Sequence, residues 1–186
     1  MRHIRGTASR LSSGIAALGL FLAAALSPAI AATLLDAAEE GRGDDARAHL
    51  ANGADPNAAD PSGTTPAMYA AYYGDLPLLE ELIAAGADVT AVNRFGTSAI
   101  TEAAIIGDAA VLSALIAAGA DPNFANPEGE TPLMAVARTG NVDAARVLIE
   151  AGADVNATEH WGGQSAVMWA AARGNAAMIR FLAGNG

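Results

Sequence analysis

The side chains able to do chemistry are few and scattered. There is no Cys in 186 residues. This excludes a thiol nucleophile, a disulfide scaffold, a Cys-held zinc and a lipid-modified Cys. His49 and His160 lie far apart in the chain, and neither has a His partner at metal-ligand spacing. Glu39-Glu40, Asp44-Asp45 and Glu80-Glu81 are pairs of the type used in acid–base work or calcium binding. They read instead as solvated helix faces that keep an acidic chain soluble. No G-x-S-x-G, H-E-x-x-H or phosphate-cradling glycine loop is present. The expectation is a protein that is not an enzyme, with no catalytic residue, no metal and no cofactor.

Charge narrows the partners. The chain has 20 Asp+Glu against 10 Lys+Arg, and every basic residue is Arg. Arg2, Arg5 and Arg10 lie at the start, and all the acids lie at or after Asp36. Without that start the balance is 7 − 20 = −13. Such a surface repels nucleic-acid phosphates and anionic membranes, so no nucleic-acid partner is expected. Ala accounts for 48 residues and aromatics are scarce, which points to close-packed short helices.

The first residues read as an address. Three Arg precede the uncharged run Leu11 to Leu26, Ser27-Pro28 breaks the helix, and Ala29-Ile30-Ala31-Ala32 places small residues at a cleavage site. Residues 1–31 are expected to be a signal peptide, cut after Ala31 or Ala32. Residues 32–186 then act in a periplasm or as a secreted protein, with no membrane span left after cleavage.

The elements that position any site follow from a repeat. Glycines recur at Gly41, Gly74, Gly107, Gly140 and Gly174, and at Gly53, Gly86, Gly119, Gly152 and Gly186. Both series step by 33, 33, 33 and 34. A third series is Gly63, Gly96, Gly129 and Gly162. The spacing predicts two short helices per unit. Thr65, Ser98, Thr131 and Ser165 are expected to cap the first helix, with Pro66 and Pro132 at its first position. The glycines at 74, 107, 140 and 174 end that helix. The second helix carries apolar residues such as Leu79, Leu82 and Ile83 at helical spacing. His49 falls where later units carry Leu82, Leu115 and Leu148, and is expected to cover the N-terminal end of a stack. The last unit is expected to leave Val167, Met168, Trp169 and the apolar side of its final helix uncovered.

This pattern resembles the ankyrin repeat family, of the secreted or periplasmic bacterial type. Thr65-Pro66, Thr131-Pro132-Leu133 and four Gly-Ala-Asp tripeptides carry the resemblance. It implies an all-α ankyrin-repeat solenoid of stacked helix–turn–helix units with short β-turn fingers. The units are a partial repeat at 33–59, then 60–92, 93–125, 126–158 and 159–186. The His that often follows Thr-Pro-Leu is absent; Met68, Thr101, Met134 and Met168 stand there. Carried over by position, the turn tips and the ends of the first helices line a concave face. That assigns partner binding to Tyr72, Tyr73, Phe95, Ile105, Ile106, Arg138, His160 and Trp161. Tyr69 and Trp169, inside first helices, are expected to pack between repeats. The function implied is a scaffold binding a partner protein of unknown identity, itself a monomer. The alternative is a secreted effector or immunity-type protein acting on another cell.

Overall fold

In a computed structural model the chain is described over residues 33–186; the signal-peptide reading of residues 1–31 lies outside the described residues. Ten helices form five pairs. They are α1 (Leu34–Glu39) with α2 (Gly43–Ala51), α3 (Pro66–Tyr73) with α4 (Leu76–Ala84), and α5 (Ala99–Ile106) with α6 (Ala109–Ala117). Then come α7 (Pro132–Thr139) with α8 (Val142–Glu150), and α9 (Ala166–Ala172) with α10 (Ala176–Ala183). First helices stack on first helices and second on second, and the first-helix row is the more closely packed. Ala allows that approach: Ala70, Ala71, Ala103, Ala104 and Ala137 are buried where neighbouring first helices meet. Leu82, Leu115, Leu148 and Leu182 recur along the second row, all buried. No helix of the described residues is long and apolar enough to cross a membrane.

The glycine that ends α7 shows why the repeat keeps this residue. Gly140 has φ 82°, a left-handed conformation that costs side-chain-bearing residues energy. A Cβ there would also meet the Asn175 amide at 2.9 Å.

The cap expectation holds only in part. Thr131 Oγ1 accepts the Met134 N–H at 3.4 Å, a long bond. Thr65 Oγ1 is buried without a partner, and Ser165 makes no side-chain cap. At Ser98 the backbone N–H donates to Thr101 Oγ1 instead. Pro66 and Pro132 already set the backbone for α3 and α7 and remove one orphan N–H from each. Well-formed caps sit on α1, where Thr33 and Asp36 make a reciprocal capping box, and on the second helices α4, α6 and α8, positions where the sequence reading placed none. Asp75 accepts from Leu78, Asp108 from Ala110 and Val111, and Asn141 from Asp143 and Ala144.

The expected β fingers are corrected. Among the described residues no β-strand forms; pairing is confined to isolated bridges at Val92–Ser98 and Thr158–Ser165. The reason lies in the tips. Asp60 Oδ1 accepts the N–H groups of Ser62 and Thr64, and Asn93 Oδ1 those of Phe95 and Thr97. Asn126 Oδ1 accepts those of Glu128 and Glu130. Donors a ladder would use are therefore taken locally, and Pro61 and Pro127 have none to give.

The Gly-Ala-Asp acids hold the arms that follow the second helices. Asp55, Asp88, Asp121 and Asp154 each accept the N–H two residues on. Asn57 and Asn123 reach the following unit, donating to the Gly86 and Gly152 carbonyls and accepting from Asp88 and Asp154.

Candidate functional site on the tips and first helices

Among the described residues eight large apolar side chains are exposed: Tyr72, Tyr73, Val92, Phe95, Ile105, Ile106, Trp161 and Met168. All lie on first helices, tips or the arms leading to them; none lies on a second helix. Phe95 is 64% and Trp161 86% exposed. Each stands on a tip whose backbone is fixed from inside. The last tip is one residue longer, and Glu159 spans it where shorter tips use Asp or Asn. Its carboxylate accepts the N–H groups of Trp161, Gly162 and Gln164. Those bonds, that of Gln164 first, hold the Glu159 carboxyl below its ordinary range. Asp60 is lowered likewise, chiefly by the Ser62 hydroxyl.

Tips also hold each other. The Arg94 N–H donates to the Ser62 carbonyl, and the His160 N–H to that of Glu128. The His160 ring lies against Gly129, where a Cβ would come within 2.7 Å of it. His160 is thus exposed on one side and packed on the other.

The remaining predicted residues fall into separate groups. Tyr72 and Tyr73 pack edge to face, ring centres 5.0 Å apart. Tyr73 also donates to the Glu39 carbonyl, closing α1, so part of its role is to join two repeats. Ile105 borders a cleft with Thr101, Pro132 and Ala135. The Arg138 guanidinium sits 5.3 Å above the Trp169 ring, and that of Arg94 4.9 Å above Phe95. Trp169 is half-buried and its indole N–H has no partner.

Two residues outside the predicted set complete this face. Tyr69 and Glu102 line a 250 Å³ groove between α3 and α5, with Tyr72, Met68, Thr64 and Asn93. Burial pushes both the Glu102 carboxyl and the Tyr69 hydroxyl up from their ordinary values. In sequence Glu102 is one acid among 20, in the first turn of a helix where acids are common. Its partnerless position depends on side chains of the preceding repeat. Among the described residues no group of His, Cys, Asp or Glu is arranged to hold a metal ion.

Stacked helix pairs with a varied, partly apolar edge define a repeat scaffold that binds by surface. The family description "Ankyrin repeats (3 copies)" matches residues 34–124 and 100–186, and the chain belongs to this family. Among curated proteins none matches the chain. Over the described residues the protein is an all-helical ankyrin-repeat module.

Proposed function

We propose that the protein docks a partner protein along the tip and first-helix face. Tyr72, Tyr73, Phe95, Ile105, Ile106, Arg138, His160 and Trp161 form the contact. The observation that carries this reading is the one-sided placement of exposed large apolar side chains. Aromatic rings offer a large contact area with few rotors to freeze, and clustered exposure marks interfaces. The braced tips support it, because a Trp161 backbone already held by Glu159 leaves only the side chain to be ordered on binding.

The proposal places this contact outside the cytoplasm, made by a monomer of residues 32–186 after removal of 1–31. Capture from an envelope fraction with immobilised wild-type, Trp161→Ala and Glu80→Gln proteins tests the docking face. The same partner band should be retained by wild type and Glu80→Gln and depleted with Trp161→Ala. Equal retention by all three would place the interface elsewhere. Intact-mass measurement of the exported protein tests the location. A chain retaining Met1 to Ser27 would contradict it.

A further inference from the structure

The groove between α3 and α5 contains an isolated acid. Glu102 is half-buried, yet it takes part in none of the ion pairs among the described residues, all of which involve Arg42 or Arg47. Among the described residues its carboxylate has no hydrogen-bond donor either, and burial alone shifts it, so none of their cations acts on it. A carboxylate that has lost part of its water and gained no partner is less favourable than a paired one. The rest of the groove is already satisfied: Asn93 donates to Thr64 Oγ1, which also bonds Ser62. The surroundings are negative. Glu39 and Asp60 lie close enough to push the Tyr69 hydroxyl up. Tyr69 and Tyr72 supply two aromatic walls and Met68 an apolar floor. The 250 Å³ of open space is far more than the roughly 10–15 Å³ that a single water needs on the same measure.

We propose that this groove, lined by Tyr69, Tyr72 and Glu102, is the specificity pocket of the docking face and receives a basic side chain of the partner, Arg or Lys. This rests on the docking reading above and deepens it. The chemistry is complementary at each point. The cation meets a carboxylate that lacks a donor, its alkyl stem lies on Met68, and the aromatic walls attract positive charge. An acidic partner side chain would meet Glu102, Glu39 and Asp60 and be repelled.

Short peptides test the pocket on the full protein by NMR. Ac-Gly-Arg-Gly-amide and Ac-Gly-Lys-Gly-amide should shift the ring signals of Tyr69 and Tyr72 and the Glu102 carboxyl saturably. The citrulline peptide, equal in shape to Arg and uncharged, should not. Glu102→Gln should weaken the Arg peptide about tenfold or more, as for loss of a charge-assisted hydrogen bond. Asp44→Asn, the same charge change on α2, should leave it within about twofold, the size of a surface charge effect. Should Glu102→Gln not fold, wild type and the exposed-site variant Tyr72→Ala decide, Tyr72→Ala weakening the Arg peptide. Absence of shifts at Glu102 in wild type, equal binding of citrulline, or an unchanged Glu102→Gln would overturn the pocket. Partner capture lost in Trp161→Ala but kept in Glu102→Gln would also overturn it, and would leave the docking reading standing.

Discussion

The two rows of helices are built from one repeat but differ in what they leave to water. Along the second row, equivalent positions are Leu82, Leu115, Leu148 and Leu182, all buried, while Glu80, Glu81 and Glu150 face solvent. Along the first row, the outward ends read Tyr72-Tyr73, Ile105-Ile106, Arg138-Thr139 and Ala172-Arg173, a different pair in each repeat. Packing fixes the inner positions because neighbouring repeats must interlock, and a protein interior has few voids. The outward positions are bound to neighbours only in places, as Tyr73 is to Glu39 and Arg138 to Trp169, and elsewhere are free to differ. That they hold Tyr, Ile, Phe and Trp, not Glu and Arg alone, points to a contact made there. In the proposed docking the second row is a support and the first row, with its tips, is a display.

Breaking the support should have the largest effect. Leu148→Ala should destabilise by about 2–5 kcal/mol, the usual cost of emptying a buried Leu site, read by thermal or urea unfolding. Gly140→Val should also be costly, by about 1–3 kcal/mol for the strained backbone, with the Asn175 contact added. Neutral behaviour of that variant would contradict the left-handed cap.

Breaking the display should leave the melt unchanged. Trp161→Ala should weaken partner binding by about 2 kcal/mol or more, as for a central aromatic anchor, without shifting Tm. Glu80→Gln should alter neither.

Smaller effects sharpen the comparison. Asp108→Ala removes two backbone hydrogen bonds at the start of α6 and should cost about 1 kcal/mol. Thr131→Ala should cost less, because its bond is long.

Acid titration separates the hydrogen-bonded carboxylates from the half-buried one by sign. Asp36, Asp60, Asp88 and Glu159 are held below their ordinary values by hydrogen bonds. Their stabilisation is present above the unfolded-state carboxylate range and is lost as pH falls through their lowered folded values. Glu102 is raised, so its charged form opposes folding above its folded value, and protonation relieves this as pH falls. Stability should therefore rise slightly in mild acid before it declines. The rise, followed by Tm, should vanish in Glu102→Gln.

The sequence made the scaffold legible because glycine phase is a local signal: Gly41 to Gly174 mark helix ends whatever the partner residues are. It also placed Phe95 and Trp161 next to turn glycines, where the structure leaves both exposed. Three things were not readable. The β fingers failed because Asp60, Asn93, Asn126 and Glu159 take the N–H groups that a ladder would need. Thr65 looks like Thr131 in sequence, yet its hydroxyl is left without a partner. Glu102 looked ordinary because its isolation arises from Tyr69, Tyr72 and Asn93, brought over it by folding.

The central claim is that the display row, not the support row, meets the partner. A photo-crosslinking amino acid placed singly at Tyr72, Phe95, Trp161, Glu80 or Glu150, followed by irradiation in the producing cell, tests it directly. The account predicts one common adduct from positions 72, 95 and 161 and none from positions 80 and 150. The same adduct from 80 and 150, with none from 72, 95 and 161, would contradict it.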